Sequence, residues 1–419
     1  MSSRIPALRL MAVLCFAAAI AAGCTPSPGD TGASDAGSDG GSSPALTWYR
    51  DVQPFFAARC TGCHRPGGIA PFSLETLEDV VPLIDLVRDS VENERMPPWL
   101  PDDGCRPLRD SRHLAPDERA LLAEWIDLGM PEGDPRDAPE PPPPPALEWV
   151  DLELDPGLDY TPNDQGQNDD YHCFILDPKL EGPAQIIGLE FVPGTPSMVH
   201  HILLFKSTRE EARDLDAQEP GPGWTCFGAP GTAVPETVGG WAPGTPITRY
   251  PEGTGVALSE RDVILMQVHY NFDNGPAVAD RTTVRVQLAD DPVDEALLVP
   301  LLDMDFRIPP KSTDVRTTVS FQAPFDLTIY GMFPHLHQLG RSLRATLERG
   351  GGGTECLIDV PRWDFNWQQF YFFAEPVHVK KDDWVHVECA WDNPTDRTVR
   401  WGEGTHDEMC LDYTYVTID

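Results

Sequence analysis

The sequence predicts a multidomain chain: a small all-α domain followed by two antiparallel, jelly-roll-like β-sandwiches. Three observations support that order. Residues 46–130 carry apolar side chains at helical spacing. A proline-rich break over 131–147 follows, through the run Pro141 to Pro145. From residue 148 onward, short β-branched and aromatic runs alternate with Pro/Gly turns, the pattern of antiparallel sandwiches. The stretch 148–419 is long for one sandwich and divides near Pro292, into 148–292 and 293–419.

Bulk composition narrows the partners. With 419 residues, 41% of them hydrophobic, the chain has room for several cored domains. Its 67 acidic against 31 basic residues give a net charge of −36, which argues against nucleic acid and repels anionic lipid.

The first residues read as an export signal. Arg4 and Arg9 accompany an apolar stretch, Leu10 to Ala22, that is too short to span a bilayer comfortably. It ends at Ala21-Ala22-Gly23-Cys24, which resembles a bacterial lipoprotein signal: residues 1–23 are removed and Cys24 is lipidated. Ordinary secretory cleavage nearby is the alternative. Thr25, where Asp would retain the protein at the inner membrane, resembles routing to the outer membrane. The expectation is an exported protein on the periplasmic side, anchored by lipid to the outer membrane, with 24–45 as a flexible Gly/Ser/Asp tether.

Within 46–130, Tyr49, Val52, Phe55 and Phe56 recur at helical spacing. Leu74, Leu77, Val80, Val81, Ile84 and Val87 form a second stripe, with a kink expected at Pro82. Pro116 opens a third segment that Gly129 ends, with Leu121, Leu122, Trp125 and Ile126 inward. Just after the first stripe stands Cys60-Thr61-Gly62-Cys63-His64, the c-type haem attachment pattern. The two thiols add to the haem vinyl groups and the adjacent imidazole takes an axial position. A thioredoxin-like redox pair would need a βαβ context, which is absent. A zinc site would need a second ligand pair, for which only Cys105 and His113 are near. Residues 46–130 therefore resemble a small class I cytochrome c with one covalent haem c on Cys60 and Cys63, ligated by His64. Met96, in Arg95-Met96-Pro97-Pro98-Trp99, is the expected sixth ligand, a thioether that raises the potential relative to a second His. Met130 and His113 are the alternatives.

Six further side chains sort into two unlike metal sets. His335 and His337, two apart in a strand, present imidazoles on one face. His200 and His201 are adjacent and should point to opposite faces, so joint use requires a twist or a bulge. With His269 they make a three-imidazole set. Met409 adds sulfur to the His335/His337 pair, a donor set suited to copper, above all Cu(I).

These residues sit in ordered blocks: Met198-Val199-His200-His201-Ile202-Leu203-Leu204-Phe205, Gly240-Trp241-Ala242-Pro243-Gly244 with Tyr250-Pro251, Gln267-Val268-His269-Tyr270, Pro334-His335-Leu336-His337 and Asp407-Glu408-Met409-Cys410. In order and number they resemble the copper type II, ascorbate-dependent monooxygenases over most of 170–419. The resemblance implies two β-sandwiches, each with one copper, across an open, solvent-filled cleft. It implies that His200, His201 and His269 hold the electron-transfer copper, and that His335, His337 and Met409 hold the copper that meets O₂. It also implies the disulfides Cys173–Cys226 and Cys389–Cys410, which export permits, and leaves Cys105 and Cys356 either paired across domains or free. Tyr413 matches a substrate-pocket tyrosine. Phe333 stands where peptide-amidating members have a carboxylate-gripping Arg, and Leu411 where they have an Asn. A terminal-carboxylate peptide is thus disfavoured and an apolar or aromatic small molecule favoured.

The expected activity is hydroxylation of a C–H bond of a small organic substrate with O₂. The fused haem takes the place of ascorbate, passing electrons from a periplasmic donor to the three-histidine copper. The alternative is a copper-binding, electron-transfer protein without catalysis.

Overall fold

The computed structural model describes residues 46–419, apart from residues 67, 141, 142, 144, 164–168, 246, 273, 274 and 405. The export signal 1–23, Cys24 and the tether to residue 45 lie outside the described residues. Among the described residues no helix is long and apolar enough to cross a membrane.

The helical region forms around three aromatic rings. Trp48 lies 5.4 Å from Phe56 and 5.7 Å from Trp125, and all three are buried. Phe55 and Phe56 come from the helix Gln53–Arg59, and Trp125 from Pro116–Asp127, whose opening proline has no amide to leave unsatisfied. The second stripe breaks where Pro82 stands. Leu77–Val80, capped by Thr76, passes through a 3₁₀ turn at Val81–Leu83 into Ile84–Glu92. Ile84, Val87 and Val91 face inward, one and two turns apart.

The following segment leaves the helices. Trp99 is buried in the core of the C-terminal sandwich, 5.1 Å from Tyr371. The Asp102 amide donates to Asp359 O, the Arg109 amide to Phe372 O and the Ala374 amide to Pro107 O. Cys105, whose pairing the sequence leaves open, is disulfide-bonded to Cys356. Residues 99–109 are therefore an arm laid on the C-terminal sheets.

Each β half is two-layered. In the first, Asp169–Leu176, Asp262–Asn271, Val199–Thr208 and Glu236–Trp241 form one antiparallel layer. Leu152–Leu154, Thr283–Leu288, Ala184–Val192 and Thr254–Leu258 form the other. Ile202, Leu204, Met266, Val268, Ile186 and Leu189 fill the space between. In the second half, Asp294–Leu302, Leu411–Ile418, Leu327–His335 and Tyr371–Val379 pair in one layer. Ser312–Gln322, Trp384–Asn393, Gly340–Glu348 and Thr354–Val360 form the other. The halves are fused: Leu298 pairs with Thr237, and Ala296, Leu298 and Tyr415 contribute to the first core. The structure forms Cys173–Cys226 and Cys389–Cys410, the pairs the resemblance implies.

Replacing Cys105 and Cys356 together by Ala should lower stability by about 2–4 kcal/mol, because the bond closes a very long loop. It should also expose the 99–109 arm to limited proteolysis. An unchanged thermal midpoint and cleavage pattern would show that Trp99 and the backbone bonds suffice.

Candidate metal centres

His200, His201 and His269 converge because one strand is irregular. Strand Val199–Thr208 pairs with Asp262–Asn271 as Val199↔Tyr270 and then His201↔His269, which leaves His200 as the extra residue of a bulge. The bulge turns both neighbouring imidazoles toward His269. Their Nδ1 atoms form a near-equilateral triangle: His200 to His201 3.3 Å, His200 to His269 3.2 Å and His201 to His269 3.2 Å. The centre of such a triangle lies about 1.9 Å from each nitrogen, close to the ~2.0 Å of a metal–imidazole bond. Three nitrogens so close cannot all carry hydrogen, so the arrangement fits a shared cation.

The surroundings set the tautomer. His269 Nε2 donates to buried Asp169 Oδ1 at 2.9 Å, which leaves Nδ1 as a bare lone pair. Asn271 Nδ2 donates to the same carboxylate oxygen at 2.9 Å. Tyr171 stacks on His269 with centroids 4.0 Å apart and holds the ring plane. Burial, followed by the neighbouring imidazoles, pushes His201 and His269 well below the ordinary histidine range. Both are neutral and available as ligands at neutral pH.

His335 and His337 present the opposite nitrogen. His335 Nδ1 lies 2.6 Å from Gln368 Oε1, and His337 Nδ1 lies 3.2 Å from Asp407 O. Both therefore donate through Nδ1 and offer Nε2. The rings lie 5.2 Å apart. Burial pushes His335 down to about 4 and His337 to about 3.

Met409 is buried, and the residue before it, Glu408, is bonded to the backbone at His337. The Glu408 carboxylate accepts from the His337 amide at 2.9 Å, from the Leu339 amide and from Trp391 Nε1 at 2.9 Å. Two residues further, Leu411 stands opposite His335 in the sheet. Tyr413 pairs with Phe333, with ring centroids 6.4 Å apart. Phe370 lies 5.0 Å from Phe333, so aromatic rings wall the sheet beside His335.

The space between the two sets differs from the open cleft that the resemblance implies. Phe365 stacks on His200 at 4.9 Å and lies 6.0 Å from His337. A phenyl ring thus stands between them.

At the helical module, Cys60 and Cys63 are both unbonded, although three other cysteine pairs are joined. Burial pushes the Cys60 thiol up to about 12 and raises Cys63. His64 Nδ1 lies 3.3 Å from Phe72 O, which leaves Nε2 as the nitrogen for an axial bond. These side chains fit a thioether-linked haem. Met96 follows the helix Ile84–Glu92, its amide donating to Ser90 O at 3.2 Å. Met130 packs against the helical core. His113 lies against Trp99, with Nε2 3.4 Å from Pro101 O. The zinc alternative loses Cys105 to its disulfide.

Asp169, Gln368 and Glu408 are absent from the ligand sets read in the sequence. Each acts on a histidine distant in the chain, and only the tertiary packing exposes them. Asp169 stands opposite Asn271, two residues beyond His269.

The comparisons agree with this geometry. Residues 161–276 match "Copper type II ascorbate-dependent monooxygenase, N-terminal domain", and residues 296–416 match the C-terminal domain of the same family. "Putative DBH-like monooxygenase protein 2" of Homo sapiens is 26% identical over 265 residues, 58% of this chain and 50% of its own. Peptidyl-glycine alpha-amidating monooxygenase A of Xenopus laevis is 24% identical over 268 residues, 60% of this chain and 27% of its own. The chain spans half or less of the length of these curated relatives. Against solved structures the overlay is shallow: an infectious bursal disease virus VP2 subviral particle is 10% identical, covering 63% of this chain and 69% of its own, with a TM-score of 0.17.

The low positions of His335 and His337 fix a pH dependence for the metal-free chain. Unfolded histidine titrates near ~6.5, so below that pH the unfolded chain binds more protons than the folded one. The contribution of these two groups to stability should be full above pH ~6.5 and fall as pH drops to about 4. Urea midpoints of metal-free protein across that interval, set beside those of the His335→Ala/His337→Ala variant, check this, and equal slopes in the two proteins would contradict it.

Proposed function

Because the chain belongs to the copper type II ascorbate-dependent monooxygenase family, we propose that it is a copper monooxygenase that hydroxylates a C–H bond of a small organic substrate with O₂. The observation that carries this is the triangle of three Nδ1 atoms beside a differently built His-x-His pair. Storage of one metal gains nothing from two unlike sites, whereas a two-electron oxidation gains a one-electron reserve and a reacting centre.

His200, His201 and His269 hold the reserve copper, and His335, His337 and Met409 hold the reacting one. Copper bound there supplies one-electron chemistry toward O₂, and the thioether favours Cu(I). The protein supplies the rest. Asp169, Gln368 and the Asp407 carbonyl fix the ring tautomers. Glu408 locks the segment that carries Met409 to the backbone at and after His337. Tyr413, Phe333 and Phe370 line an apolar wall that suits an aromatic or aliphatic substrate.

Cys60, Cys63 and His64 would hold a covalent haem c, with Met96 as the further iron ligand. This module receives electrons from a periplasmic donor and passes them toward the copper sites. The chain is exported and lipid-anchored through Cys24 at the outer membrane.

Metal and haem analysis with EPR of the purified protein tests the reading. One haem and two type 2 copper signals, with O₂ uptake matched by hydroxylated product, are expected. Zinc in place of copper would overturn it. Copper without O₂-dependent product would leave an electron-transfer protein.

Two substitutions add resolution. His335→Ala with His337→Ala should abolish product formation while leaving the His200 set loaded. Asp169→Asn should weaken copper binding at the His200 set by about 10–100-fold, measured by chelator competition, and spare the other site. Equal loss at both sites would contradict the assignment.

A further inference from the structure

Resting on the haem and copper reading above, we propose that the loop Trp363–Gln369 is the electron conductor that joins the Cys60–Cys63–His64 module to both histidine sets. The loop touches each of them. Trp363 Nε1 donates to His337 O at 3.1 Å. Gln368 Oε1 accepts from His335 Nδ1 at 2.6 Å. Phe365 covers His200 at 4.9 Å, nearly parallel at 26°, and reaches His337 at 6.0 Å. Trp367 faces the other way, onto Gly244, where a Cβ would lie 2.8 Å from the indole Cζ3.

Gly244 is the junction with the helical module. The same Cβ position lies 3.5 Å from Ile69 Cδ1, so indole and Ile69 both lie against a residue that has no side chain. Its φ of +85° also favours glycine. Ile69 belongs to the turn after the cysteine motif, where the Ala70 amide donates to Cys63 O at 3.3 Å. Arg112 clamps the junction. Its Nη2 donates to Gly244 O at 2.6 Å, and its charge acts on the Cys63 thiol. Thr245 Oγ1 donates to Gln368 O at 3.0 Å and ties the Gly244 turn to the loop.

Electron transfer through protein weakens steeply across gaps and persists through bonded or closely packed atoms. Here packed atoms run from Cys63 through Ile69, Gly244 and Trp367 to Gln368 and His335, and through Phe365 to His200. The loop is held in shape for this role. Asp364 Oδ1 accepts from the Asn366 amide at 2.9 Å, the Trp367 amide donates to Asp364 O at 3.1 Å, and Phe365 O accepts from Gln368 Nε2 at 2.7 Å. The Cys105–Cys356 bond fixes the helical module to the same half of the protein. Electrons therefore enter beside His335/His337 and reach the His200 set through Phe365. In each transfer one electron leaves haem iron(II), which becomes iron(III), and copper(II) becomes copper(I); no bond to carbon forms and no proton moves.

The experiment uses the full chain, loaded with Cu(II), its haem reduced, under anaerobic conditions. Stopped-flow absorbance follows haem oxidation, and freeze-quench EPR follows each copper signal. Haem content, haem potential and the resting copper spectra are recorded first. Trp367→Leu should slow haem oxidation about tenfold or more with those three properties unchanged. Trp367→Phe, which keeps a ring, should restore most of the rate. Phe365→Leu should leave haem oxidation intact and slow the passage of that one electron to the His200 set, read as loss of its Cu(II) signal. Wild-type rates in both leucine variants would overturn the conductor while leaving haem and copper in place. Absence of haem from the wild-type chain would instead overturn the haem reading, and the conductor with it.

Discussion

In a regular strand His200 and His201 would point to opposite faces of the sheet, and no single ion could use both. The extra residue at His200 removes that conflict, and the first metal centre depends on it. Bulges cost ladder hydrogen bonds and add local twist. This one is set between the strand that supplies His269 and a well-packed core, so neighbouring pairs such as Ile202↔Val268 and Leu204↔Met266 keep the register on its far side. The Nδ1 triangle follows from the backbone geometry of the bulge.

The second centre is organised by a carboxylate. Glu408 accepts from the amides after and at His337 and from the Trp391 indole, and burial lifts it to about 7. It joins three segments that are distant in sequence: the His-x-His turn, the strand Trp384–Asn393 and the approach to Met409. The Cys389–Cys410 bond reinforces the same junction. One centre presents Nδ1 atoms held by a carboxylate behind His269, and the other Nε2 atoms held by carbonyl groups. The inequality of the two centres thus extends from the donor atoms to the groups that orient them.

The helical module is docked by specific contacts, where a proline spacer alone would leave it free to wander. Trp99 enters the C-terminal core, the arm 99–109 bonds to Asp359 and Phe372, and Cys105 is joined to Cys356. This brings the cysteine motif to the Gly244 turn, where the first β half and the Trp363–Gln369 loop meet. Of the rings of that loop, Phe365 lies against His200 and near His337, and Trp367 lies on Gly244.

The sequence alone determined the chemistry of the donors and the coarse architecture. Unlike metal sets, an attachment motif, helical stripes broken at Pro82 and the β-rich remainder are all patterns of residue type and short spacing. Such patterns report local geometry, and that is why they were readable. Strand Asp169–Leu176 was not readable, because its opening Asp-Asp-Tyr-His obscures the alternation, although it supplies the carboxylate behind His269. The partner of Cys105, 251 residues away, left no local trace. The position of Phe365, the bond from Gln368 to His335 and the arm on the C-terminal sheet were decided by tertiary structure. They arise when surfaces far apart in the chain pack together, and no periodicity encodes that meeting.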